Sequence, residues 1–194
     1  MRAAILDAAR RLLITDGADG VSMRAIAREL DYSPAGLYEY FPSKDELTCA
    51  LYFEGADGLA ARMEAVLAHL PAGVSGLERM ASLARSYRTH AKEQPELYRL
   101  TFGGNVIAHG LNDCGDDQRA FTILLETASA AMSSGEFERV SPISLAFTCW
   151  ALVHGFVMLE LTGFLNKSGD DSGPTADELF EAALTVSANG YLSR

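Results

Sequence analysis

The chain has 194 residues, 48% of them hydrophobic and 22% charged, which is long enough for a core needing neither disulfides nor a structural metal and excludes a disordered or fibrous protein. Sixteen basic against 26 acidic residues leave a formal net charge of −10, which discourages nonspecific attraction to nucleic acid and, taken alone, argues against DNA binding. The longest apolar stretch, Leu145 to Leu165, is interrupted by His154, Gly155 and Glu160, so a buried bundle helix is expected there and no membrane span.

Apolar spacing is helical nearly everywhere. Ile5, Ala8, Ala9, Leu12 and Leu13 recur at three and four residues, the inward stripe of a first helix that Gly17 stops. Ser22 caps a short second helix facing inward through Ala25, Ile26, the Glu29 stem and Leu30, before a turn at Asp31-Tyr32. Ser33-Pro34 starts a third, because serine caps the exposed amides and proline fits the first helical position. Only two or three turns follow before Phe41-Pro42. Capping-box spacing at Ser43 and Glu46 opens a longer helix running to about Leu70, and the same spacing recurs at Ser75 with Glu78 and at Thr175 with Glu178. Pro95 restarts a helix, and Ser141-Pro142 precedes the apolar run to Leu165. Gly103 to Gly115, rich in glycine and asparagine, reads as a long connection. The expectation is an all-α chain of about nine helices. Cys49, Cys114 and Cys149 are odd in number, far apart and without CxxC spacing, so buried thiols are expected. The start, Met1-Arg2-Ala3-Ala4-Ile5, shows no signal-peptide pattern, which places the chain in the cytoplasm.

Two short helices joined by a tight turn, with a third before them, form the arrangement of a helix-turn-helix unit whose last helix enters the major groove. Short helix pairs also occur for purely structural reasons, so residue identity has to decide. From Arg2 to Leu47 the chain carries Ile5-Leu6-Asp7-Ala8-Ala9, Gly17, Val21-Ser22, Ile26-Ala27, Ser33, Gly36-Leu37-Tyr38, Tyr40-Phe41 and Ser43-Lys44. In this register it resembles the TetR family of bacterial regulators. The resemblance implies a three-helix DNA-binding head over 1–46, a ligand-binding and dimerisation domain over 47–194, and a homodimer reading a palindromic operator on double-stranded DNA.

Leu37 and Phe41, four apart, are expected in the core, while Tyr38 and Tyr40 face elsewhere, able to reach phosphates or base edges or to pack. Pro34, Ala35 and Gly36 offer almost no side chain, so the helix start that Ser33 caps can approach DNA closely. By resemblance, Arg24, Tyr38, Tyr40 and Lys44 hold the positions where the family touches DNA. Arg28 is a further candidate, Glu39 a solvated carboxylate, and Arg10 or Arg11 possible additions. Asp31 stands where many relatives place glycine, and aspartate tolerates the left-handed backbone better than most residues. Met1 almost abuts the first helix, so contacts from a basic arm to the minor groove are expected to be absent.

The remaining chain carries no HExxH, GxSxG, P-loop or dinucleotide pattern, and its four histidines have no partner at metal-ligand spacing. No enzyme, cofactor or metal is expected, the weak exception being His154 acting with Glu160. Trp150-Ala151-Leu152-Val153-His154-Gly155 resembles the C-terminal domain of a TetR subgroup named for its Trp-His-Gly signature. On a helix Phe147, Trp150, His154, Met158 and Leu161 share one stripe, either bundle core or the wall of a pocket for a small, largely apolar effector. Trp150, His154 and Met158 are the first candidates for that pocket, with Tyr87, Phe102 and Phe121 weaker ones. By resemblance the last two helices, Pro142 to Leu165 and Thr175 to Tyr191, form the dimer interface, with Leu179, Phe180, Ala183 and Leu184 as a face for the partner. The functional expectation is a ligand-responsive repressor. The alternative is a small-molecule binding protein without specific DNA recognition.

Overall fold

The computed structural model describes residues 1–103, 118–135, 137, 140–166 and 173–190. Every regular element among them is helical: α1 Arg2–Gly20, α2 Met23–Glu29, α3 Pro34–Leu37, α4 Lys44–His69, α5 Gly76–Glu93, α6 Pro95–Phe102, α7 Arg119–Ser133, α8 Pro142–Leu161 and α9 Ala176–Asn189, with a 3-10 turn at Phe164–Asn166. The expected connection Gly103 to Gly115 lies, beyond Gly103, outside the described residues, as does Tyr191.

The helix starts follow their caps. Backbone amides exposed at a helix N-terminus need an acceptor, and a serine or threonine oxygen supplies one. Ser22 accepts from the Ala25 amide at 3.2 Å, Ser33 from Gly36 at 3.0 Å, Ser43 from Glu46 at 3.1 Å and Ser75 from Glu78 at 3.1 Å. Thr175 and Glu178 close a reciprocal capping box. Gly17 takes φ 71° and ends the regular part of α1, with one more turn following to Gly20.

The chain forms two compact units, the first from 1–58 with 94–117 and the second from 59–93 with 118–194. In the first, Ile5, Ala8, Ala9 and Leu13 of α1 pack with Ile26, Leu37, Phe41, Leu47 and Leu51. Leu97 and Leu100 of α6 complete that core, so the packed head extends past the three helices expected over 1–46. Gly55 makes this possible. A Cβ built there would lie 2.2 Å from Thr101 Oγ1 and 3.2 Å from Leu97 Cγ. Gly55 therefore serves a close helix approach, and α4 runs continuously through it and Gly58. Gly55→Ala is expected to destabilise the protein by about 1–3 kcal/mol through overpacking, despite alanine's better helix propensity. Thr101→Ala should recover most of that loss in thermal denaturation. A lone Gly55→Ala that raised stability would count against the close approach.

In the second unit Met80, Ala128, Ala131, Phe137, Leu145 and Ala146 form the core among α5, α7 and α8. Cys149 is a free thiol. Cys49, half-buried on α4, is disulfide-bonded, which corrects the expectation of a thiol there; Cys114 lies outside the described residues.

Candidate functional site

After α2, Asp31 enters the left-handed region at φ 49°, as anticipated for a residue standing in place of glycine. The Tyr32 amide then bonds back to the Ala27 carbonyl at 2.9 Å. That tight turn sets α3 across α2, and Leu37 and Phe41, 0% and 1% exposed, pin it to the core. What remains outside is the candidate surface. Ser33, Pro34, Ala35, Tyr38 and Tyr40 are exposed, with Tyr38 at 49% and Tyr40 at 37%. Gly36 is half-buried because Tyr32 lies over it; a Cβ there would meet Tyr32 Cε1 at 2.5 Å. Tyr32, not singled out by sequence, therefore shapes this face.

Charge sorts the cations. Arg10 bonds Glu54 at 2.6 Å and Asp7 at 2.9 Å, and Arg11 bonds Glu29 at 2.5 Å. Both therefore stand in surface ion pairs. Arg24, Arg28 and Lys44 are exposed and have no carboxylate within ion-pair distance among the described residues. Arg2 adds a fourth cation, with its guanidinium 4.6 Å from the Phe41 ring centre. Its signal in the sequence was a cation at the start of α1, and only packing reveals that α1 begins beside the end of the recognition segment. The arrangement can bind an anionic backbone through four point charges and read base edges through two tyrosine hydroxyls.

In the second unit the Tyr87 hydroxyl lies 3.2 Å from His154 Nδ1, and Trp150 Nε1 donates to that same hydroxyl at 3.4 Å. Burial pushes the His154 pKa down, because desolvation disfavours the charged ring. The Phe121 ring lies nearby and tilted, its centre 5.5 Å from that of Trp150 and 4.9 Å from that of Phe147. Met158 is half-buried one turn beyond His154. Phe102 belongs to the first unit, with its ring 5.3 Å from that of Tyr98. Glu160 is bonded through both oxygens to Arg88 at 2.7 Å, so it is engaged away from His154. An acidic residue in an apolar run was itself the signal that a buried cation had to face it.

The buried stripe of α8 is Leu145, Ala146, Val153 and Val157, not Phe147, Trp150, His154, Met158 and Leu161. At 100° per residue the two stripes differ by about one position. Ile143, Phe147, Ala151, Gly155 and Leu159, each four residues from the last, form its exposed side. Although α8 has the length and hydropathy of a membrane span, its inner face packs in the helical core. On α9, Phe180 is 1% exposed, with its ring 5.1 Å from that of Phe156, and Leu184 is half-buried. Phe180 therefore faces its own unit, while Leu179 and Ala183 are half-buried. The outward side carries Ala182, Thr185, Val186 and Asn189.

Comparison with known proteins gives this geometry a context. Residues 5–51 match the family model described as bacterial regulatory proteins, tetR family, and residues 80–186 match the one described as tetracyclin repressor-like, C-terminal domain. An uncharacterised HTH-type transcriptional regulator of Mycobacterium tuberculosis is 25% identical over 175 residues, covering 88% of this chain and 75% of the relative. An HTH-type transcriptional regulator of Mycobacterium bovis is 26% identical over 191 residues, covering 84% and 81%. A solved structure of a protein with unknown function from Rhodococcus sp. RHA1 superposes with a TM-score of 0.81 at 25% identity, covering 99% of this chain and 95% of that one.

Proposed function

The chain belongs to the TetR family of DNA-binding transcriptional regulators, and from that premise we propose that it is a homodimeric repressor released by a small molecule. The observation that carries the DNA reading is the surface of the first unit, where Tyr38, Tyr40, Arg24, Arg28 and Lys44 all stand exposed while Arg10 and Arg11 are held in ion pairs. Ser33, Pro34 and Ala35 present only small side chains at the start of α3, with the Tyr32 ring lying over Gly36. A two-fold dimer would present two such surfaces to successive major grooves, so the operator is a palindrome. The protein acts in the bacterial cytoplasm. Selection of sites from random duplexes tests this directly: recovery of a palindrome, protected in footprinting, is expected, whereas salt-sensitive binding to any duplex would overturn it.

The dimer forms through α8 and α9. A stripe of exposed apolar side chains with Ala151 and Gly155 at its middle leaves room for a partner helix, and a Cβ at Gly155 would meet nothing within 4 Å. Ala151→Glu would place a carboxylate in that seam twice per dimer. It is expected to weaken dimerisation by roughly a hundredfold or more, given about 3 kcal/mol for a buried unpaired charge. Sedimentation at micromolar concentration should then show monomer, and an undisturbed dimer would sink the assignment of the interface.

Release is a linkage effect. An effector that prefers the chain with misaligned heads weakens DNA binding by the same factor by which DNA weakens effector binding. The second unit offers Tyr87, Trp150 and His154 as a polar anchor, walled by Phe121 and flanked by Met158. Helix α4, 26 residues long and thus roughly 39 Å, begins at Lys44 and ends in the second unit, which makes it the lever between the two events.

A further inference from the structure

Tyr32 leaves the tight turn after α2 on a fixed backbone, with Asp31 at φ 49° before it and its own amide bonded to the Ala27 carbonyl at 2.9 Å. Its ring folds forward over the start of α3. A Cβ built on Gly36 would lie 2.5 Å from Tyr32 Cε1 and 3.1 Å from Tyr32 Cζ, so the far edge of the ring fills the space where any other residue at 36 would begin its side chain. Cζ bears the hydroxyl. That hydroxyl therefore stands on the flank of α3 that position 36 would otherwise supply, and Tyr32 remains 38% exposed.

At about 100° per residue, Gly36 and Tyr38 lie on opposite flanks of α3, each one step from the buried Leu37, with Ala35 between them on the outward side. Tyr38 supplies a hydroxyl on one flank. Gly36 supplies none on the other, and Ser33 Oγ, also 3.1 Å from the position of that Cβ, already serves as the cap by accepting from the Gly36 amide at 3.0 Å. The Tyr32 phenol fills the gap. A phenol both donates and accepts, so it can meet an acceptor such as guanine N7 or a donor such as the cytosine amine. Held by only two χ angles and supported on one face, it loses little freedom when it does so.

We propose that Tyr32 is a specificity-determining residue whose hydroxyl contacts one base edge in each half-site, in place of the side chain that Gly36 lacks. The proposal rests on the DNA reading given above. Tyrosine at 32 and glycine at 36 act as one unit, because a larger residue at 36 pushes the ring out of its slot.

Sites are selected from random duplexes with the unaltered chain, Tyr32→Phe and Gly36→Ala, and each protein is then titrated against the selected operator and against random duplex. Phenylalanine keeps the ring over Gly36 and removes the hydroxyl alone, so a purely packing role predicts no change. The expected result for Tyr32→Phe is lost preference at the same base pair of both half-sites and a drop of about tenfold in the ratio of operator to random-duplex affinity, at unchanged thermal stability. Gly36→Ala displaces the ring and should relax preference at that same base pair. Combined with Tyr32→Phe it should add little, because both changes act through one hydroxyl. A Tyr32→Phe chain with unaltered preference, or one weakened equally for every sequence as by loss of a phosphate contact, would overturn the proposal. Where Gly36→Ala does not fold, Tyr32→Phe decides alone. An unaltered chain that selects no palindrome overturns the proposed function and the role of Tyr32 together; a palindrome selected equally well by Tyr32→Phe overturns the role of Tyr32 alone.

Discussion

Tyr38→Ala lowers affinity for the selected operator by about thirtyfold or more, the loss expected when a contact worth roughly 1–3 kcal/mol is removed from each of the two recognition surfaces of the proposed dimer. Because Tyr38 is 49% exposed while Leu37 and Phe41 hold α3 to the core, the variant keeps its thermal stability. Arg24→Ala should act differently. As a phosphate contact it weakens binding to every sequence alike and reduces the salt dependence by about one unit of slope per contact. In the proposed dimer, Arg2, Arg24, Arg28 and Lys44 of each head would set a ceiling at a slope of about −7. Such a slope is modest enough to suit a chain of net charge −10, whose remaining surface opposes nonspecific binding. Residues 1–50 hold six basic and eight acidic side chains, a net of −2, so most of the excess lies outside the head. Competition titrations against random duplex at several salt concentrations check both variants. If Tyr38→Ala leaves the preference for operator over random duplex intact, the tyrosine is not a reader of bases.

The head was legible in the sequence because local rules govern it. Ser22, Ser33 and Ser43 cap where their side chains dictate, Asp31 takes the positive φ its position demands, and the four-residue spacing of Leu37 and Phe41 puts both in the core. Membership of α6 in that core was not legible. It depends on Gly55 meeting Thr101, a contact across 46 residues that no periodicity encodes. The faces of α8 failed for another reason: the helix is apolar nearly all round, so its pattern cannot distinguish core, aromatic cluster and outward stripe. Arg10 and Arg11 looked free because their acceptors, Glu54 and Glu29, are brought to them only by packing. Of the residues proposed for an effector, Tyr87, Phe121, Trp150 and His154 meet in the second unit, since three helices converge there.

The largest stability loss is expected from Arg88→Met. Arg88 and Glu160 are only 10% and 12% exposed in their side chains, and Arg88 Nη2 also lies 2.7 Å from Asp177. The same guanidinium sits 4.8 Å from the Phe180 ring and 5.6 Å from Phe156, so one side chain ties α5 to α8 and α9. Methionine keeps much of the volume and removes the charge, leaving Glu160 with Lys92 at 3.4 Å as its remaining cation. Breaking a nearly buried pair costs about 3–5 kcal/mol, and Lys92 moves the expectation to the lower end, near 3 kcal/mol. For a chain of this size that lowers Tm by roughly 6–12 °C. Changing both partners, Arg88→Met with Glu160→Leu, should recover most of the loss, because no uncompensated charge remains. The pH dependence has a definite sign. Arg88 holds the Glu160 carboxyl below its ordinary value, so its contribution is fully present above the unfolded-state pKa and disappears as pH falls through the lower folded-state value. The stability gap between wild type and Arg88→Met is therefore widest at neutral pH and narrows on acidification below the ordinary carboxylate range. Denaturation of both proteins across that range measures it, and a gap that stayed constant or widened toward acid would show that Arg88 acts through packing on Phe156 and Phe180 instead of through Glu160.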